Sequence, residues 1–191
     1  ERVHAAVRQL DYRPNIYARS LKTNRSYTIG VQVPDITNPF FSNSVKNIQS
    51  VSNASGYQIM LYDSDCDIKR EEQNISSMLD AHVDGIISIA PRMNIQHLIN
   101  MVETPLIIMD HPAVKTNQNV GFIYADNYQG GASVADYLIA KNYKRFICLA
   151  GPVDVVSNAK ARLMGFIETL ELHNISRDQC DIYYGDFTFE S

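Results

Sequence analysis

From residue 28 onward, short apolar runs alternate with longer segments whose apolar positions recur every three or four residues. The short runs read as buried strands and the longer segments as amphipathic helices. They predict a strand from Thr28 to Pro34, a helix from Pro39 to Ala54 stopping at Gly56, a strand from Gln58 to Tyr62 and a helix from Lys69 to Ala81. A strand from Gly85 to Ala90, a helix from Ile95 to Val102, and strands at Leu106–Met109 and Val120–Tyr124 follow. A second series restarts with a helix from Gly130 to Lys141, a strand from Arg145 to Ala150, a helix from Ala159 to Leu172 and a strand from Asp181 to Tyr184. This alternation is the pattern of a parallel sheet covered on both faces, so an α/β fold is expected.

Before residue 28 the pattern changes. Val3, Ala6, Val7 and Leu10 give the first residues one apolar helical face, in a segment too short to be stable alone. Tyr12-Arg13-Pro14-Asn15 breaks that helix, and Ile16 to Lys22 predicts a second, shorter one capped by Asn15. The reading divides the chain into 1–14, the last helix of a small helical domain; 15–27, a short helix and linker; 28–125, a first lobe; and 126–191, the start of a second. It expects truncation at both ends, because the first helix lacks a partner and the second series stops before it has strands enough for a covered sheet.

The stretch from Thr28 to Phe41 is the pivot. Pro34 closes the strand because it cannot donate to the ladder, and Pro39 suits a first helical turn. Asp35 and Asn38 therefore sit at a strand's carboxyl end, where open α/β sheets bind ligands beside a helix amino terminus. The adjacent rings of Phe40 and Phe41 can cover C–H faces of a small polyhydroxylated ligand while the amide and carboxylate bond its hydroxyls. Either ring alone could equally belong to the core.

Charge adds a second clue. The net charge of −4 over 191 residues hides a segregation. Arg2, Arg8, Arg13, Arg19, Lys22 and Arg25 against Glu1 and Asp11 give residues 1–26 about +4, leaving about −8 for the rest. A basic arm on an acidic body suggests a polyanionic partner for the arm, with a solvated basic tail as the plain alternative. Cys66, Cys148 and Cys180 are odd in number and lack C-x-x-C spacing, which fits a reducing cytoplasm. No run approaches the length that crosses a membrane, and no export signal is visible.

Other chemistry finds little support. There is no G-x-G-x-x-G or Walker sequence, no metal-ligand spacing of histidines and no nucleophile elbow, so no enzyme, cofactor or metal is expected. Asp63-Ser64-Asp65 lacks the partners that a metal or phospho-acceptor pocket needs and reads as a solvated loop.

These residues resemble the LacI/GalR transcription regulators. Tyr12-Arg13-Pro14-Asn15, Ala18-Arg19-Ser20-Leu21-Lys22-Thr23 and Ile29-Gly30-Val31 carry the resemblance, with Pro34 to Phe41. Val83-Asp84-Gly85-Ile86-Ile87, Asp126-Asn127 with Gly130-Gly131, Gly151-Pro152 and Arg162-x-x-Gly165-Phe166 continue it. Each string is weak, but the ordered set is specific and covers essentially the whole chain.

The resemblance implies a two-lobed sensor of the periplasmic-binding-protein type, preceded by the end of a helix-turn-helix domain and a hinge helix. It implies a cytoplasmic, homodimeric repressor whose operator DNA affinity is set by a small effector, most simply a sugar such as ribose. Leu21 matches the leucine that wedges into the minor groove, Ala18 and Lys22 match groove contacts, and Asn15 and Arg19 match phosphate or packing partners. Effector positions fall on Asp35, Asn38, Phe40, Phe41, Asp110, Arg162 and Phe187, with His111 where sugar-binding relatives often place arginine. A secreted sugar-binding protein of the same fold, a sugar-modifying α/β enzyme, and a regulator sensing a nucleobase or sugar phosphate are the alternatives.

Overall fold

The computed structural model describes Gln9 and residues 25–116, 119–153 and 158–185. Asn15, Ala18, Arg19, Leu21, Lys22 and Phe187 lie outside them. The chain divides into two compact units, Glu1–Ile123 and Tyr124–Ser191.

In the first unit, β1 (Thr28–Val33), α1 (Pro39–Ala54), β2 (Gln58–Asp63), α2 (Ile68–Asp80), β3 (Gly85–Ile89), α3 (Ile95–Met101), β4 (Leu106–Met109) and β5 (Val120–Ile123) follow in order. The five strands form one sheet in the order β2-β1-β3-β4-β5, and every neighbouring pair is parallel. The α/β reading is met, with most element ends within a residue of expectation.

Alternation along β1 assigns the two faces. Val31 and Val33, both 0% exposed, pack with Val45 of α1 and Ile89 of β3. Gly30 points the other way, where an added methyl would strike the Met78 sulfur of α2. A larger residue there would require the Met78 side chain to shift. Ile75 and Met78 of α2 and Leu98 and Ile99 of α3 close the second face over Ile86, Leu106 and Ile108. A sheet so covered on both sides has its polar openings only at its edges.

The helix starts follow from their caps. Asn38 accepts from the Phe40 amide with Pro39 next in line, and Asp67 accepts from the Arg70 amide. Each cap satisfies a donor that has no partner within the helix.

The second unit holds α4 (Asn127–Ala140), β6 (Phe146–Ala150), α5 (Asn158–Leu172), a 3-10 turn (Arg177–Gln179) and β7 (Cys180–Tyr184). β6 and β7 pair in parallel. α4 begins three residues before the expected Gly130, because the Asp126 side chain accepts from the Gln129 amide and caps it. Phe146, Phe166, Leu170, Ala135 and Cys180 form the core of this unit. α4 and α5 touch backbone to backbone. A methyl on Gly131 would collide with the Arg162 carbonyl, and one on Gly165 with the Tyr128 carbonyl.

Candidate functional site

Parallel strands bring the loops after β1, β3 and β4 to one edge of the first sheet. Since the strand order is β2-β1-β3-β4-β5, the loop after β3 stands between the other two. Carboxyl edges of open α/β sheets are where ligands bind.

The loop after β1 is pre-shaped. Asp35 Oδ1 accepts from the Thr37 amide at 2.8 Å and from the Thr37 hydroxyl at 2.6 Å. The hydroxyl first, then the amides of Thr37 and Asn38, hold the Asp35 carboxyl below the usual range, so it is an anionic acceptor near neutrality. The Asn38 Oδ1 is taken by the Phe40 amide at 2.9 Å. Phe40 is 56% exposed, whereas Phe41 packs on the core behind β1. Their centroids lie 5.2 Å apart at 76°. One ring is thus anchored and the other is presented at the rim, an edge-to-face pair rather than two core residues.

Of Asp63-Ser64-Asp65, expected as a solvated loop, only Asp65 is exposed. Ser64 is fully buried, and its amide continues the ladder by donating to the Val33 carbonyl at 3.0 Å. Asp63 accepts from the Ile36 amide at 2.8 Å and from the Asp65 amide at 2.7 Å. The carboxylate therefore braces the loop that carries Asp35. Its role is structural because both of its oxygens already face amide donors.

At the end of β4, Asp110 adopts φ 59°, a left-handed conformation that aspartate tolerates better than most residues. Its amide donates to the Ile123 carbonyl at 2.8 Å. His111 Nδ1 lies 2.8 Å from the Pro112 carbonyl. A carbonyl can only accept, so Nδ1 carries a proton and donates.

The intervening loop was not singled out in the sequence, and Glu71 explains its shape. This α2 carboxylate is 1% exposed and accepts from the Arg92 amide at 3.0 and 3.1 Å and from the Met93 amide at 2.7 Å. Burial pushes its carboxyl upward, and the two amides pull it part of the way back. Met93 is thereby held in the core, while Arg92 is exposed at the sheet edge. A charged run, Lys69-Arg70-Glu71-Glu72, conceals Glu71, and only the buried side of an amphipathic helix could have revealed it.

In the second unit, Arg162 Nη1 donates to Asn127 Oδ1 at 2.6 Å, and Asn127 Nδ2 of the same side chain donates to the Ala125 carbonyl at 3.1 Å. The amino end of α4 thus orients the guanidinium. Tyr128 donates to Glu168 Oε2 at 2.6 Å beside it. Burial pushes the Cys148 and Cys180 thiols up, which favours the neutral thiol over the thiolate. Among the described residues no group of His, Cys, Asp and Glu could hold a metal, and no helix is long and apolar enough to cross a membrane.

A family described as periplasmic binding proteins and sugar binding domain of LacI family matches residues 26–186. The chain belongs to this family. As a LacI-family sensor it is 32% identical to the HTH-type transcriptional regulator RegA of Clostridium saccharobutylicum, over 100% of this chain and 58% of that protein. It is 29% identical to the ribose operon repressor of Escherichia coli K12, over 98% of this chain and 57% of the repressor. The sensor therefore spans just over half the length of these curated relatives. A periplasmic binding protein/LacI transcriptional regulator from Alkaliphilus metalliredigens, solved with D-xylulofuranose, superposes with a TM-score of 0.74 at 25% identity, covering 85% of this chain and 58% of that one. The relatives' names are those of transcription regulators, which agrees with a non-enzymatic sensor.

Proposed function

We propose that this sensor belongs to a cytoplasmic, homodimeric DNA-binding repressor and that a small polyhydroxylated effector, a sugar such as ribose, sets its affinity for operator DNA. The observation that carries the reading is the pre-shaped edge of the first sheet. There an exposed ring stands 5.2 Å from an anchored one, next to an Asp35 carboxylate kept anionic by Thr37. Such a set recognises the alternating C–H and O–H faces of a sugar. The name of the ribose operon repressor among the relatives supports the choice of probe.

The reading assigns effector contacts to Asp35, Asn38, Phe40, Phe41, Asp110 and His111 in the first unit, and to Arg162 and Phe187 in the second. A carboxylate or guanidinium takes adjacent hydroxyls in bidentate fashion. In the arm, Leu21 is the minor-groove wedge, with Ala18 and Lys22 in the groove and Asn15 and Arg19 as phosphate or packing partners.

A thermal-shift screen with D-ribose, D-xylulose, ribose 5-phosphate and adenine tests the effector class, since a native-state ligand raises stability by mass action. Asp110→Asn and Arg162→Ala should each weaken binding of the active compound by about 1.5–3 kcal/mol, the scale of a charged hydrogen bond. Unchanged affinity in both would remove the proposed site. In the full-length protein, Leu21→Ala should weaken operator binding and bending at fixed salt while leaving effector affinity nearly intact.

A further inference from the structure

The opposite edge of the first sheet holds a junction that the effector site does not use. Asp84, just before β3, gathers three donors from the segment leading into β1. Its Oδ1 accepts from the Ser26 amide at 2.8 Å and from the Ser26 hydroxyl at 3.1 Å. Its Oδ2 accepts from the Tyr27 amide at 3.0 Å. Its own amide donates to the Thr28 carbonyl at 2.8 Å, and the Gln58 amide donates to the Tyr27 carbonyl at 2.9 Å.

The backbone is bent to make this possible. Tyr27 has φ 53°, a conformation that a bulky side chain rarely adopts and that persists only where its surroundings fix it. Its ring meets Tyr57 at 5.7 Å. Beside the clamp, a cavity of about 450 Å³ is bordered by Arg25, Tyr57, His82, Asp84 and Thr104. Ser26 and Tyr27, entering the sheet, are therefore held by hydrogen bonds to Asp84 and to β2.

From this geometry we infer that Asp84 is a positioning residue that transmits the sensor's state to the DNA-binding arm. The inference rests on the proposed function. β1 and β3 pair in register from Ile29↔Gly85 to Gln32↔Ser88 and carry the clamp at one end and the effector loops at the other. A six-residue strand spans about 20 Å, and its ladder makes it stiff. A change at the carboxyl edge reaches the arm as a displacement of Ser26 and Tyr27, and Asp84 couples them to that change through three hydrogen bonds. Asparagine at 84 offers one acceptor oxygen, and its NH2 faces a donor, so it cannot reproduce the carboxylate.

The test uses the full-length protein, a DNA fragment selected by it from a random pool, and the compound among D-ribose, D-xylulose, ribose 5-phosphate and adenine that raises its melting temperature. Operator and effector affinities are measured in the parent, D84N and S26A. The parent's operator affinity should change on the order of 5–150-fold with effector, as coupled sites do. In D84N that ratio should fall to about 2-fold or less with effector affinity kept, and S26A, which retains both amide bonds, should lie between. Because a merely structural residue would lower the melting temperature without moving the ratio, a parent-like ratio in D84N overturns the inference. Should D84N not fold, S26A decides alone: an intermediate ratio supports the clamp and a parent-like one overturns it. A parent that responds to no compound overturns the functional reading itself, and the clamp's role with it.

Discussion

Both units contain the same device, a strand, a covering helix and a parallel strand, yet they bury it differently. In the first, β1 lies between β2 and β3, so Val31, Gln32 and Val33 are 0%, 1% and 0% exposed. Among the described residues of the second, β6 pairs only with β7. α5 covers Phe146 and Cys180, but Ile147 and Leu149 on the other face remain 70% and 83% exposed. The comparison shows that a βαβ unit buries only one face of its strands. The second face needs the next helix, which the first unit has in α2 and α3.

The largest effect should separate the two faces. Ile75→Ala, at the centre of the first unit's core, should cost about 2–5 kcal/mol in urea unfolding. Leu149→Ala, on the open face, should stay within about 0.5 kcal/mol in the same chain. Equal costs would end the contrast.

Next come the crossing glycines of the second unit. Gly131→Ala drives a methyl into the Arg162 carbonyl and should destabilise by about 1–3 kcal/mol. Gly130→Ala meets nothing and should be neutral or stabilising by up to about 1 kcal/mol, the helix preference of alanine. Melting curves of both variants check the backbone contact of α4 and α5.

In the first unit, Glu71→Gln should cost about 1–3 kcal/mol by leaving one amide of the Arg92–Met93 loop without an acceptor. The sign of its pH dependence follows from burial. A carboxyl raised in the folded state contributes most below its unfolded pKa and loses that contribution as pH rises through its folded value. The gap between parent and variant should therefore narrow with rising pH, which melting temperatures on a pH series will read. A widening gap would mean that the amides outweigh burial.

The smallest effect concerns Tyr128, whose ionisation the Glu168 hydrogen bond pushes up. Glu168→Gln should move that ionisation to lower pH with little effect on stability, seen in an ultraviolet phenolate titration.

Much of this was readable in the sequence. Pro34, Asn38 and Pro39 fix where β1 stops and α1 starts through local rules, so both ends were legible. The start of α4 was not, because Asn127-Tyr128-Gln129 has no apolar period and only the Asp126 cap shows that it is helical. At the candidate site, Asp35, Asn38 and the paired phenylalanines came from one contiguous motif. Glu71, Asp63 and Asp84 were missed as anchors because their partners are backbone amides 21 to 58 residues away. Such pairings are set by strand order rather than by pattern.

The central claim is that the carboxyl edge of the first unit's sheet receives the effector. It is tested most directly by titrating the 15N-labelled protein with the compound that raises its melting temperature and following backbone amide shifts. The account predicts the largest shifts at Ile36, Thr37, Phe40, Phe41, Asp110 and His111, with saturation at the calorimetric Kd. Saturable shifts confined to the open face around Ile147 and Leu149, with the loops after β1 and β4 unmoved, would contradict it.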